Sequence, residues 1–209
     1  MSSLKFIRYL AWALVAVALV LGGALLFTKL AAPRTDAGGE SIPGFVPVTI
    51  GGPFTLTDQN GQPVTEAALA GHPSMVFFGY TNCPDICPTT LLTAPTWLEA
   101  VKAEMPDLAF YFVTIDPERD TVAAMREYLA HFDPRIVGLT GTPEAIASML
   151  YAYRVYRRVV PRADAGYDLD HTAPIYLMDR TGAFSGEIIQ PEDEATDALV
   201  LAKLRRLAG

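Results

Sequence analysis

The sequence predicts an α/β domain with a central mixed sheet flanked by helices, preceded by one N-terminal transmembrane helix. Three observations lead to this prediction. The chain begins with a long uncharged apolar run, continues with short apolar segments that alternate with segments of helical periodicity, and ends with a hairpin and an amphipathic helix. Because strands that alternate with helices pair in parallel and a hairpin adds antiparallel strands, the sheet is expected to be mixed.

Residues 10–28 form the predicted membrane anchor, and residues 1–9 are placed in the cytoplasm. The run at 10–27 carries no charge, and at 1.5 Å per residue a helix of this length spans about 27 Å, close to the hydrocarbon thickness of a bilayer. The run is longer than the core of a typical signal peptide and lacks a good small-residue cleavage site, which favours an uncleaved anchor. Lys5 and Arg8 favour a single-pass protein of a bacterial inner membrane with its C-terminal domain in the periplasm.

Residues 29–47 are predicted to be a linker because Gly, Pro and small polar residues dominate them. The domain that follows, residues 48–209, is long enough to bury a core of its own. A net charge of −7 and a pI of about 4.9 argue against nucleic acid as a partner. One basic cluster is expected to be a solvated face, with a docking patch for an acidic partner as the alternative. Its members are Arg154, Arg157, Arg158 and Arg162.

Local signals place the elements in the first half of the domain. Asn60 and Gly61 indicate the turn of a hairpin, apolar runs with β-branched and aromatic residues indicate buried strands, and helical spacing indicates a helix after the cysteines. Pro88 suits the first turn of that helix, whereas Pro95 is expected to kink or split it. The elements are a hairpin at 53–65, strands at 73–80 and 108–115, and helices at 87–104 and 121–132.

The second half of the domain continues the alternation and then ends in antiparallel strands. Thr142 is a typical N-cap residue, and Pro143 suits the first position of the helix that follows it. A final hairpin followed by a helix is typical of the C-terminal half of a thioredoxin-like domain. The remaining elements are strands at 136–141 and 154–159, a polar loop at 161–172, antiparallel strands at 173–179 and 183–190, and a helix at 192–207.

Cys83 and Cys87 are the two cysteines of the chain, and they lie four positions apart between a predicted strand and a predicted helix. At a helix N-terminus the macrodipole and the free amide hydrogens stabilise a thiolate, which disulfide exchange and metal ligation both need. A structural disulfide is disfavoured because so short a loop gives little entropic stabilisation. Two thiolates with one imidazole suit copper in either oxidation state, so a redox couple and a metal site both remain open.

Three histidines are candidates for a third donor. His72 is expected to be a surface turn residue, and His131 lies near a predicted helix C-terminus, where an imidazole interacts well with the dipole. His171 follows a polar loop and directly precedes an apolar strand. In a thioredoxin-like fold this loop lies against the cysteine loop, which makes His171 the candidate third ligand. The pattern alone does not decide between this role and a structural one.

Three sequence blocks, TNCPDICPT, DPERDT and DLDHT, make the chain resemble the Sco/SenC family from about residue 45 to the C-terminus. This family consists of membrane-anchored, thioredoxin-like copper proteins required for cytochrome c oxidase assembly. The resemblance implies that Cys83, Cys87 and His171 bind one copper ion, as Cu(I) or Cu(II), and that the two cysteines can form a redox-active disulfide. It also implies that Asp116 tunes the site without ligating the metal, the alternative being a loop acid at a helix entry.

The resemblance predicts a copper metallochaperone rather than an enzyme. The implied recipient is the dinuclear copper centre in subunit II of cytochrome c oxidase, and an upstream periplasmic copper donor is expected to load the site. The alternative is a thiol–disulfide oxidoreductase that uses Cys83 and Cys87 to keep the recipient's cysteines reduced. Because a purely redox role has no need of His171, this residue discriminates between the two functions.

Overall fold

The computed structural model describes residues 49–208 except 164, 173 and 190–193. The predicted cytoplasmic N-terminus, the predicted anchor at 10–28 and the predicted linker at 29–47 lie outside the described residues. In the part of the chain that is described, no helix is both long enough and apolar enough to cross a membrane. The fold set out below belongs to the compact unit Val48–Gly209.

The described residues contain nine β-strands and four α-helices. The strands are β1 (Thr55–Asp58), β2 (Pro63–Thr65), β3 (Ser74–Gly79), β4 (Ala109–Thr114), β5 (Ile136–Thr140), β6 (Arg157–Pro161), β7 (Tyr167–His171), β8 (Ile175–Met178) and β9 (Phe184–Ile188). The helices are α1 (Ile86–Ala100), α2 (Val122–Leu129), α3 (Pro143–Ala152) and α4 (Glu194–Arg205). Short 3₁₀ turns are present at Glu66–Leu69 and Arg206–Ala208.

Seven of these strands form one mixed sheet in the order β2-β1-β5-β4-β3-β8-β9. β3 pairs in parallel with β4, and β4 pairs in parallel with β5, because a helix connects each strand to the next. β8 lies antiparallel to β3 and to β9, as the final hairpin requires. The predicted central mixed sheet is confirmed.

Both faces of the sheet are buried, and β3 shows this most clearly. All residues of β3 are buried. Because side chains alternate along a strand, Met75 and Phe77 enter one core cluster while Val76 and Phe78 enter the other. Helices α1, α2 and α4 contribute to the first cluster, and α3 contributes to the second. The strand that leads into the cysteines is therefore fixed from both sides.

Threonine side chains cap two helices, one of them at the predicted N-cap residue Thr142. Thr121 precedes α2, and its hydroxyl oxygen accepts a hydrogen bond from the amide of Ala124 at 3.3 Å. Thr142 precedes α3 and accepts from the amide of Ala145 at 3.2 Å, with Pro143 at the first helical position. Each hydroxyl satisfies one of the amide groups that a helix start leaves without an intrahelical partner.

Pro95 is predicted to kink or split its helix, and the helix is not split there. α1 begins one residue earlier than predicted, at Ile86, and continues through Pro95 to Ala100. A proline removes one helical hydrogen bond. However, Ala94, Trp97 and Leu98, which surround this position, are all buried in the core, and the free energy of burying them offsets that loss.

A separate two-stranded ribbon stands where the sequence predicted a strand followed by a loop. β6 begins three residues later than predicted, and β7 (Tyr167–His171) lies inside the predicted polar loop. Among the described strands, β6 and β7 pair with each other and with none of the central sheet. Because β7 is short and alternates acidic with buried positions, its composition resembles that of a loop. His171 is therefore the last residue of a strand.

The basic cluster lies on and next to this ribbon, and acidic residues of β7 neutralise part of it. Arg158 forms an ion pair with Asp170, and Arg162 lies 3.6 Å from the carboxylate of Asp168. These side chains are largely exposed. The contacts agree with the predicted solvated face.

Candidate functional site

The two cysteines lie where β3 meets α1, close to each other and at different depths. Cys87 is the second residue of α1 and is fully buried, whereas Cys83 lies in the preceding loop and is half-buried. Both are free thiols. The amide of Cys83 donates to the carbonyl of Tyr80 at 3.2 Å, which turns the chain sharply at the end of the strand. Cys83 packs against both core clusters.

Gly79, the last residue of β3, provides the space for the buried sulfur. A Cβ at this position would lie 2.6 Å from Sγ of Cys87 and 2.7 Å from Cε2 of Phe112. Real Cβ contacts are not that short, so a side chain here would force Cys87 or Phe112 to move. Sequence reasoning missed this residue. The available signal was a glycine inside an otherwise apolar strand, which often marks a close approach.

The pKa values of the two cysteines are shifted in opposite directions by the hydrogen bond between them. The hydrogen bond from the Cys87 thiol is the largest cause that lowers the pKa of Cys83 to about 4. Contact with His171 and hydrogen bonds from the amides of Asp85 and Cys87 lower it further, against the opposing effect of burial. The same hydrogen bond and burial raise the pKa of Cys87 far above its ordinary value. Near neutral pH the pair therefore consists of a Cys83 thiolate and a Cys87 thiol.

His171 reaches this pair from the end of β7. It contacts Cys83, and its ring packs edge-on against Tyr80 with 6.0 Å between ring centroids. Nδ1 lies 2.9 Å from the carbonyl oxygen of Thr172. Since a carbonyl only accepts, Nδ1 donates this hydrogen bond, so a metal ion would have to bind at Nε2.

A cleft between the cysteine loop and β7 is lined by Cys83 and His171, whereas Cys87 is fully buried and is not part of its lining. The residues that line the cleft are Tyr80, Cys83, Pro84, Asp85, Ile86, Asp168, Leu169, Asp170 and His171. No three His, Cys, Asp or Glu side chains in the described residues already surround a common point for a metal ion. Instead, Cys83 interacts with both Cys87 and His171, so it is the group that connects the three candidate donors.

The other two histidines take no part in the cleft. Nδ1 of His72 lies 3.2 Å from the carbonyl oxygen of Pro73. Nδ1 of His131 lies 3.2 Å from the carbonyl oxygen of Tyr128 and is exposed. The local roles expected for both residues agree with these contacts.

Asp116 is fully buried but does not line the cleft. Its carboxylate forms an ion pair with Arg119 and accepts a hydrogen bond from the hydroxyl of Tyr167 at 2.8 Å. Tyr167 is the first residue of β7, four positions before His171. Asp116 therefore connects the loop after β4 to the strand that carries the histidine.

Asp120 is a second fully buried acid that sequence reasoning missed. Its carboxylate accepts hydrogen bonds from the amide and the hydroxyl of Thr81, at 3.1 and 2.5 Å, and from the hydroxyl of Thr114 at 2.6 Å. Burial raises the pKa of this carboxyl group. Because Thr81 begins the cysteine loop, Asp120 anchors that loop to the chain that precedes α2. The second acid of DPERDT was the available signal.

The fold and the site define a class of protein: a thioredoxin-like domain with a reduced cysteine pair at a helix N-terminus and a histidine presented to it by a separate ribbon. The family model described as SCO1/SenC matches residues 46–209. The chain belongs to the SCO1/SenC family, as its sequence blocks predicted.

Relatives and solved structures agree with this assignment. The chain is 47% identical to Bradyrhizobium japonicum ScoI, solved with copper bound; the likeness covers 76% of this chain and 99% of that chain, with a TM-score of 0.68. It is 39% identical to the SCO2-like protein RC0895 of Rickettsia conorii over 82% of this chain and 85% of that protein. It is 38% identical to mitochondrial SCO1 of Saccharomyces cerevisiae over 87% of this chain, and spans only 64% of the length of that relative.

Proposed function

We propose that the domain binds one copper ion through Cys83, Cys87 and His171 and delivers it to the dinuclear copper centre of cytochrome c oxidase subunit II. The protein is then a metallochaperone, and the copper is its cargo. The observation that carries the proposal is the position of Cys83, which interacts with both Cys87 and His171 and shares a cleft with His171. Sco family proteins take part in cytochrome c oxidase assembly and in copper binding, and ScoI, 47% identical, was solved with copper bound.

The donor groups suit copper in their chemistry. Cys83 is already a thiolate near neutral pH, Cys87 releases its proton on binding, and Nε2 of His171 is the ring nitrogen left for the metal, since Nδ1 bonds to Thr172. Thiolates hold Cu(I), and a thiolate with an imidazole suits Cu(II). The space that Gly79 leaves for Sγ of Cys87 keeps the buried sulfur at the helix start.

Delivery needs a site that a second protein can enter. The half-buried Cys83 and the partly exposed His171 line the cleft, whereas Cys87 is fully buried and does not line it. Thiolates of the recipient can therefore reach the copper first at Cys83 and His171. An upstream periplasmic donor loads the site by the same route. A predicted anchor at 10–28 in a bacterial inner membrane, with the domain in the periplasm, raises the effective concentration of both partners.

A second candidate function is thiol–disulfide exchange, which the unequal protonation of the cysteines favours. The Cys83 thiolate attacks a disulfide of the partner, one partner thiolate leaves, and a mixed disulfide forms between Cys83 and the other partner sulfur. Cys87 then loses its proton to the first leaving thiolate and attacks Sγ of Cys83, which breaks the mixed disulfide and releases the second partner thiolate. The partner gains two electrons, and the domain ends with a Cys83–Cys87 disulfide. In this function Asp116 acts only by placing the ribbon, and His171 is dispensable.

Replacement of His171 by alanine separates the two functions. In anaerobic titrations of the reduced chain with Cu(I) and Cu(II), we expect His171→Ala to lose stoichiometric copper binding while its dithiol still oxidises to a disulfide. His131→Ala is the matched control, because His131 contacts only its own helix end, and it should bind one copper per chain. Unchanged stoichiometry and affinity in His171→Ala would exclude His171 as a ligand and leave thiol exchange as the better explanation.

A further inference from the structure

The position of His171 depends on how the β6–β7 ribbon is attached to the rest of the domain. No strand of the central sheet pairs with the ribbon in the described residues. Side chains make the attachment instead. The amide of Leu169 donates to the hydroxyl of Tyr80 at 3.3 Å, and the hydroxyl of Tyr167 donates to Asp116 at 2.8 Å. These contacts fall on the same face of β7 as His171, at alternate residues.

Arg119 connects most of these groups to each other. Its Nε pairs with Asp116, its Nη1 donates to the carbonyl oxygen of Tyr167 at 3.0 Å, and its guanidinium lies 3.8 Å from the ring centroid of Tyr167. It also lies 5.7 Å from the ring centroid of Tyr80, the ring that packs against His171. One side chain therefore contacts the buried carboxylate, the start of β7 and the aromatic support of the histidine.

The guanidinium of Arg119 holds Asp116 and Tyr167 rigidly because its contacts are directional. Arg119 presents a planar cation with donors in fixed directions, so a carboxylate, a carbonyl and a ring face can be satisfied together. The Asp116 carboxylate is fully buried, and removal of the cation would leave an unpaired charge inside the protein. Any movement of β7 away from the domain must break the ring contact and both hydrogen bonds at Tyr167.

We propose that Arg119 is a positioning residue that, with Asp116 and Tyr167, fixes the β6–β7 ribbon and so holds His171 opposite Cys83. The consequence for copper rests on the proposed function, in which His171 is a ligand. The consequence for the ribbon does not depend on it. Arg119 acts only through Tyr167 and Tyr80 and makes no contact with the sulfurs.

The test compares Arg119→Leu with wild type in the full chain, first without metal. Hydrogen exchange of the β7 amides is expected to become about tenfold faster or more, while that of the β3 amides is unchanged, because only the attachment of the ribbon is weakened. With copper bound, we expect one copper per chain, about tenfold faster release to a chelator, and a changed Cu(II) electron paramagnetic resonance spectrum. Arg119→Lys should recover part of the protection of the β7 amides, since lysine restores the positive charge but not the fixed set of N–H donors of the guanidinium.

Two further variants complete the design. Tyr167→Phe removes only the hydroxyl that bonds to Asp116 and should accelerate hydrogen exchange of the β7 amides less than Arg119→Leu does. This variant keeps the test possible if Arg119→Leu folds poorly. Arg158→Leu breaks an exposed ion pair on the same ribbon and should leave exchange and copper release within about twofold of wild type. β7 exchange that is unchanged in Arg119→Leu, or equally fast in Arg158→Leu, would overturn the proposal. If β7 exchange rises but His171→Ala binds copper normally, the positioning role stands and the ligand assignment fails.

Discussion

The cysteine loop and the β6–β7 ribbon supply donors to the same cleft, but the domain holds them in different ways. The loop leaves a strand that is buried on both faces and enters a helix that packs on the core. The ribbon is attached by side chains and pairs with no strand of the central sheet in the described residues. The sulfurs are therefore held by the packing of the core, whereas the imidazole is held by the side-chain contacts that attach the ribbon.

This difference would suit the proposed function, in which the protein must both hold and release copper. In that function, two sulfurs in fixed positions keep the copper attached while the third ligand is exchanged. The strength of the ribbon's attachment then sets how readily His171 leaves. Changes in the loop should affect folding and binding together, and changes at the ribbon should affect mainly release.

The largest effect is expected at Gly79, under the rigid half of the site. Gly79→Ala places a methyl group 2.6 Å from Sγ of Cys87 and 2.7 Å from the Phe112 ring. We expect it to lower the free energy of unfolding by about 3 kcal/mol, the upper range for overpacking a core, and to weaken copper binding. Denaturant unfolding followed by copper titration measures both.

Gly52→Ala is the control for this substitution. A Cβ at Gly52 would meet only Cβ of Ala152, at 3.3 Å, and the expected loss of stability is about 1 kcal/mol or less. Equal losses for the two variants would mean that the close packing of Gly79 against Cys87 and Phe112 adds nothing to the cost of a methyl group. The contrast between a tightly packed cysteine loop and a ribbon attached by side chains would then lose its main support.

A smaller effect is expected at Asp120, which anchors the start of the loop. Asp120→Asn keeps one acceptor oxygen and replaces the other with an amide nitrogen, which cannot accept, so the hydrogen bond from Thr81 or the one from Thr114 is lost. The expected loss in the free energy of unfolding is about 2 kcal/mol. Glu99→Gln, which removes an exposed helix acid, should change stability by less than about 0.5 kcal/mol.

The effect of Asp120 should also depend on pH in a definite direction. Burial raises the pKa of its carboxyl group in the folded chain, so the proton binds the folded state more tightly than the unfolded state. This contribution to stability is complete below the unfolded value of about 4 and is lost as pH rises through the folded pKa. The gap between wild type and Asp120→Asn should therefore be widest near pH 4 and narrower at pH 7. A gap that widens with pH would contradict this.

Asp120 also shows how far sequence reasoning reached. Short apolar runs predicted the strands of the central sheet. Helical spacing from residue 121 and the pair Thr142–Pro143 predicted where two helices begin, because these signals are local. The sequence blocks selected Cys83, Cys87 and His171 as candidates, and the structure brings them into contact. Gly79 and Asp120 were missed because their roles depend on partners far along the chain, and β7 was missed because ion pairs across the ribbon stabilise a strand of polar composition.

The smallest effect is expected on the pKa of Cys83, which depends on Cys87 in the core and on His171 in the ribbon. The hydrogen bond from Cys87 lowers the pKa of Cys83 more than the contact with His171 does. Cys87→Ala should raise the midpoint of Cys83 alkylation well above the wild-type value of about 4, towards that of an ordinary thiol, and His171→Ala should raise it by less. The rate of iodoacetamide labelling as a function of pH measures each midpoint. Because the folded pKa is lowered, the thiolate's contribution to stability is complete above the ordinary pKa and is lost as pH falls towards about 4. A larger change in His171→Ala than in Cys87→Ala would mean that the ribbon, rather than the core, controls the thiolate.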